Sequence, residues 1–178
     1  MKKCSILLLL CLILNSVINA KDYRKVKIGL GVGYTASGPA YAYGRSRNGL
    51  LITLEPAFNV DEKLSIGMRL ELAAFGSGNI DNIDGGISYT LNGQYYLSDD
   101  HGFRPFMGVG FGIYNFDTHE DKIGVYPRLG FDAGHFNMAV EYNFIEAYNK
   151  GNGSNDSYFG IRIGVFFGGG KKQTQVKQ

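Results

Sequence analysis

The 178-residue chain has no tryptophan and only two cysteines, Cys4 and Cys11. Both cysteines fall in an N-terminal stretch that reads as a removable leader, so the rest of the chain has no thiol. Disulfides, thiolate metal sites and cysteine nucleophiles are therefore excluded from it. No helical periodicity follows the leader. A surplus of one charge sign is also missing. Without Lys2 and Lys3, Lys+Arg falls from 18 to 16 against 16 Asp+Glu, which removes basicity as a reason to expect nucleic-acid binding.

The leader has a basic start at Lys2 and Lys3, the apolar run SILLLLCLIL over 5–14, and a small residue at Ala20. That is the pattern of a secretory signal peptide cut after Ala20. Its apolar run is short for a membrane span. Leu10 occupies the position before Cys11 where lipoprotein processing wants a small residue. The expected organisation is a signal peptide over 1–20, one domain over 21–167 and a short tail over 168–178.

What is abundant is glycine, with 26 in the chain, together with 12 tyrosines and 12 phenylalanines. In RPFMGVGFGIYNF (104–116), Met107, Val109, Phe111 and Ile113 hold one parity and Gly108, Gly110 and Gly112 the other. Period two means a strand with unlike faces. Eight such runs occur, with apolar parities from Val26 to Tyr34, Leu50 to Phe58, Leu64 to Leu72, Ile87 to Leu97, Met107 to Ile113, Ile123 to Phe131, Phe136 to Phe144 and Phe159 to Phe167. No charged residue interrupts that parity. Each run is about the length a tilted strand needs to cross a bilayer.

Short polar connections (59–63, 98–102, 134–135) follow even-numbered runs. Longer segments (35–48, 75–84, 117–122, 149–156) follow odd-numbered ones. The pattern predicts an all-β fold, an eight-stranded antiparallel up-and-down transmembrane β-barrel. Volume decides which face looks in. Eight strands enclose a lumen just wide enough for side chains to fill, too narrow for eight rows of Leu, Ile, Phe and Tyr. The glycine parity must face inward and the apolar parity outward, toward lipid. Closure leaves no unpaired backbone edge in the membrane.

The inward parity also carries Lys25, Lys27, Glu55, Arg69, Glu71, Arg104, Arg128, Asp132, Glu141 and Arg162. Both signs are present, as a dry interior requires. A hairpin at Gly134-His135 sets Arg128 opposite Glu141, with Arg162 near Glu141. An Arg128–Glu141–Arg162 chain is expected within a structural lumen cluster of Arg69, Glu71, Arg128, Asp132, Glu141 and Arg162. In the first long loop, AYAYGRSR places Tyr41, Tyr43, Arg45 and Arg47 as candidates for contacting a partner or lipopolysaccharide headgroups.

No catalytic, cofactor or metal site emerges. GLGVG (29–33) and GVGFG (108–112) lie inside strands, whereas a dinucleotide loop needs a helix after GxGxxG. GGGKK (168–172) lacks the spacing and Ser/Thr of a phosphate loop. His101, His119 and His135 have no ligand spacing. His119 lies on the longer-loop rim, where lipid-modifying barrels keep a histidine, but no serine stands beside it. Two glycosylation-type triplets begin at Asn152 and Asn155 in a polar loop, where such matches arise by chance.

KIGLGVGY (27–34), RPFMGVGFGIYNF, GVYPRLGFDAG (124–134), MAVEYNF (138–144) and YFGIRIGVFFG (158–168) together give a chain that resembles the small eight-stranded bacterial outer-membrane barrels. It is similar to the OmpA transmembrane domain, OmpX and OmpW, and to the generic outer-membrane β-barrel domain. The resemblance implies an outer-membrane location, insertion by the barrel assembly machinery and longer loops outside the cell. Its implied partners are outer-membrane lipid or lipopolysaccharide and an extracellular or envelope protein. Such barrels often end on an aromatic residue, whereas here Phe167 is followed by GGGKKQTQVKQ, which reads as a periplasmic tail.

The leading expectation is a non-enzymatic barrel with a structural or surface-interaction role. The alternatives are a narrow pore or conduit for small apolar solutes, a soluble periplasmic lipocalin-like barrel, and a lipid A-modifying enzyme.

Overall fold

A computed structural model describes residues 25–37, 48–76, 83–98, 102–116, 121–146 and 157–169. The strands are β1 (Val26–Ser37), β2 (Asn48–Asn59), β3 (Leu64–Gly76), β4 (Ile83–Tyr96), β5 (Arg104–Phe116), β6 (Asp121–Ala133), β7 (Phe136–Glu146) and β8 (Tyr158–Gly168). Each pairs antiparallel with the next, and β8 returns to β1 to close the barrel. At the closing seam Ile28 stands opposite Phe167 and Ser37 opposite Tyr158. Each strand packs most closely against its two sheet neighbours, so the wall is one continuous ladder.

The connections at one end are short: 60–63, 97–103 and the two-residue turn at Gly134 and His135. We call this the turn end and the opposite rim the loop end. Gly134 has φ of 60°, a left-handed backbone that glycine adopts without strain. That turn fixes the β6–β7 register and sets Arg128 opposite Glu141. Strands β1, β3 and β7 are longer at the loop end than the apolar runs alone suggest, reaching Ser37, Gly76 and Glu146. At the turn end the sheet continues through Gly168, and the Gly169 N–H donates to the Val26 carbonyl. Residue 168 therefore belongs to the barrel wall and not to the tail.

Three prolines lie within strands, Pro56, Pro105 and Pro127, and of these Pro56 and Pro127 are exposed on the outer face. At Pro56 and Pro127 the ladders to β3 and β7 each skip two pairings, because proline has no N–H to give. The register is the same on both sides of each gap, with Leu54 opposite Leu70 and Ala57 opposite Gly67.

Exposure follows parity. Leu50, Ile123 and Phe111 are 69%, 71% and 60% exposed, whereas Tyr114 and Tyr126 are fully buried and Arg69 is 1% exposed. A soluble protein would not present such a belt, since contiguous apolar surface of this extent associates in water. In a bilayer it is the required exterior. Among the described residues no helix is long and apolar enough to span a membrane; the strands do the crossing. Near the turn end, outward Phe103, Phe131 and Phe136 form a chain of ring contacts with centroids 4.9 and 6.2 Å apart. That is the aromatic girdle expected where the wall meets headgroups.

The inward face is less bare than the glycine parity suggests. Tyr96, Phe106, Tyr114, Tyr126, Tyr158 and Phe166 all bury their rings in the lumen. Glycines make the room: a methyl group on Gly110 would strike the Tyr126 ring, one on Gly124 would meet Tyr114, and one on Gly130 would meet Phe106. At Gly112 the obstacle is the wall itself, since a methyl there would run into the Tyr89 carbonyl and lie 2.6 Å from Thr90 Cα. Backbone cannot yield as a side chain can. Gly112→Val is expected to leave most of the protein in the slow, unfolded gel band after refolding into detergent. Gly93 faces outward with nothing near its missing methyl. Gly93→Ala is expected to refold with stability within about 0.5 kcal/mol of the parent.

Candidate functional site

The lumen is organised in layers. At the loop end, Leu51, Ala73, Phe75, Tyr114, Ile145 and Tyr158 form an apolar cap, with the Phe75 and Tyr158 rings edge-on at 5.5 Å. The two tyrosines point their polar ends away from it: Tyr158 donates to Glu71, and Tyr114 donates to Asn143 Oδ1 at 2.8 Å. A phenol can thus close an apolar layer and satisfy a charged one.

Below the cap lie three carboxylates and three guanidiniums. Arg69 Nη1 donates to both oxygens of Glu141, at 2.8 and 2.7 Å, and its Nε lies 3.6 Å from Glu71. The Arg69 guanidinium rests 3.9 Å above the Tyr126 ring, and the Tyr126 hydroxyl is 3.2 Å from Thr90 Oγ1. Glu55 receives Arg128 Nη1 on one oxygen at 2.6 Å and Arg162 Nη1 near the other at 2.7 Å. Arg128 also donates to Asn92 and Gln94. In a lumen this narrow the favourable partners lie across the axis. Arg69 to Glu141 joins β3 to β7, and Arg128 to Glu55 joins β6 to β2; in each case three strands lie between the two on either side.

Toward the turn end, Lys27 pairs with Asp132 at 2.5 Å. Asp132 also accepts from Tyr96 at 2.8 Å and Asn137 at 2.6 Å. Lys27 Nζ sits 4.0 Å from the Phe166 ring centroid and Arg104 lies 3.7 Å over Tyr96, both cation–π contacts. Tyr96, Phe106 and Ala139 pack as a second apolar layer. The lumen is thus closed by rings at each end and braced by charge between.

This wiring corrects the expected Arg128–Glu141–Arg162 chain. Arg128 and Glu141 do stand opposite each other on adjacent strands, but such side chains run side by side into the lumen. Each instead reaches a partner on the far wall, Glu55 for Arg128 and Arg69 for Glu141. Arg162 likewise pairs with Glu55. Of the six residues expected to cluster, Arg69, Glu71 and Glu141 share contacts, Arg128 and Arg162 meet through Glu55, and Asp132 joins a separate group with Lys27. Glu55 is the hub that sequence reasoning did not single out, although its inward parity was plain. The missing signal is that strand n faces strand n+4 in an eight-stranded barrel. Tyr41, Tyr43, Arg45 and Arg47 lie outside the described residues, as do His101 and His119. His135 is on the turn, where its Nδ1–H donates to the Phe166 carbonyl at 2.9 Å. Among the described residues no three His, Cys, Asp or Glu side chains gather as a metal site.

No protein-family model matches the chain, and no curated protein matches it. Solved structures do. Neisserial surface protein A (NspA) superposes with a TM-score of 0.61 at 11% identity, covering 80% of this chain and 96% of that one. The outer membrane protein OprG of Pseudomonas aeruginosa gives 0.54 at 18% identity, covering 85% and 99%. At these identities the likeness concerns fold. The chain has the fold of the small eight-stranded outer-membrane β-barrels.

Removing one member of a buried, paired set strands the others, at about 3–5 kcal/mol when a lone charge remains. Arg128→Ala leaves Glu55 still held by Arg162, whereas Glu55→Ala leaves two guanidiniums without a carboxylate. Both substitutions are expected to lower stability in urea titrations of the micelle-bound barrel, Glu55→Ala by more. An equal or smaller loss for Glu55→Ala would remove Glu55 from its place as hub.

Proposed function

We propose that this protein is an exported, non-enzymatic barrel of the bacterial outer membrane whose role is structural or surface interaction. Its specificity resides in the longer connections at the loop end, facing outside the cell. The observation that carries this reading is the lumen, which is crossed by ion pairs and capped by buried rings at both ends. Such an interior is built to hold the wall rigid and offers no open passage among the described residues. A barrel that neither conducts nor reacts works through its rims, and one of the solved barrels it resembles is named as a surface protein.

Tyr41, Tyr43, Arg45 and Arg47 give the first long connection an aromatic and cationic character suited to lipopolysaccharide phosphates or an envelope protein partner. Outer-membrane lipid surrounds the belt, and the barrel assembly machinery acts during insertion. Purified protein in planar bilayers is expected to give no discrete conductance steps. Reproducible steps, persisting in a variant lacking residues 38–47, would support a narrow conduit for small solutes instead.

A further inference from the structure

Between the Glu55 layer and the Lys27–Asp132 layer lies a cavity of about 20 Å³, bordered by Lys27, Gly29, Glu55, Gln94, Arg128 and Arg162 among others. The space admits a compact species such as a water or a small ion. The polar groups on its wall are unevenly used. Four of its acceptor side chains are taken: Glu55 by Arg128, Arg162 and Asn92, Asn92 Oδ1 and Gln94 Oε1 by Arg128, and Thr53 Oγ1 by Arg162. The buried side-chain atoms of these lining residues that lack a hydrogen-bond partner are all donors: Gln94 Nε2, Arg128 Nε, and Arg162 Nε and Nη2.

That one-sidedness distinguishes the candidate occupants. A water would accept from two of these donors but bring two hydrogens of its own to a wall where the oxygens of Glu55, Asn92, Gln94 and Thr53 are already engaged. An anion brings acceptor capacity only. The local charge favours it too. Lys27 is balanced by Asp132, which leaves two guanidiniums, Arg128 and Arg162, around the single carboxylate Glu55. The compensating excess of carboxylate, Glu71 and Glu141 around Arg69, lies in the layer on the loop side. Within a wall of low polarisability such a separation is felt strongly.

We propose that this cavity is a binding site for one small monovalent anion of chloride size, held by the unpartnered donors of Gln94, Arg128 and Arg162. The cavity is too small for a polyatomic organic anion. Gly29 borders it, and a methyl group there would make only ordinary contacts, 3.6 Å from Glu55. Gly29→Ala therefore fills part of the space and leaves every ion pair in place; Gly29→Val fills more.

The test is thermal unfolding of the folded barrel in neutral detergent, read from the compact gel band. Sodium chloride and sodium gluconate are compared at equal concentrations across a titration. Anything that binds the folded state alone raises the unfolding temperature with its concentration, however slowly it exchanges. The expected result is an upward shift in chloride beyond that in gluconate, halved or more in Gly29→Ala and absent in Gly29→Val. Identical shifts in the two salts would overturn the proposal. So would a chloride excess retained in full by Gly29→Ala, because a general salt effect on surface charge does not depend on a methyl group inside the lumen. Neither outcome bears on whether the barrel conducts, which the bilayer recordings decide separately.

Discussion

The ionised groups at the centre of this barrel depend on partners brought to them by other strands. Closing eight strands leaves an interior that side chains fill, with little room for the water that would otherwise solvate them. A carboxylate there must meet a cation or be very costly. Because the lumen is narrow and arginine is long, the favourable partners lie across the axis, as Arg69 with Glu141 and Arg128 with Glu55. These braces join strands that share no backbone hydrogen bonds. The ladder alone fixes neighbours; the crossing ion pairs fix the cross-section.

The same constraint accounts for the glycines. Among the described residues the lumen holds four arginines and seven aromatic rings, and it can do so only where the facing wall is thinned. Gly110 beneath Tyr126 shows the logic: the ring occupies the space a side chain would take, supports the Arg69 guanidinium from below, and so helps aim it at Glu141. Glycine on β5, a ring on β6 and an ion pair from β3 to β7 form one connected arrangement. Outside, the requirement is reversed and simpler, since lipid asks only for apolar surface and a girdle of rings at the interface.

Much of this fold was legible because period-two alternation is a strong signal when sustained over eight runs and punctuated by turns of alternating length. The sidedness followed from volume. The register at Gly134 was readable as well, because a two-residue turn leaves little freedom. What the chain did not reveal was which charges touch. Adjacent-strand reasoning joined Arg128 to Glu141, when the relevant geometry spans the barrel. Nor did the apolar-outward rule anticipate Tyr96, Tyr114, Tyr126 and Tyr158 inside. Each breaks the pattern locally, and each is tolerated because its hydroxyl finds a polar partner in the lumen. The longer connections, where surface specificity is proposed to lie, have no comparable periodicity from which to reason.

The absence of tryptophan supplies the most direct test of which face meets lipid. A single tryptophan placed at Phe111 on the outward parity, or at Tyr126 on the inward one, would be the sole strong emitter in the folded barrel. Each variant would be inserted into vesicles whose acyl chains carry bromine, a contact quencher. The account predicts deep quenching for Phe111→Trp and little for Tyr126→Trp. Quenching of the Tyr126 position with Phe111 unaffected would contradict it, placing the apolar parity inside and the charged residues against lipid.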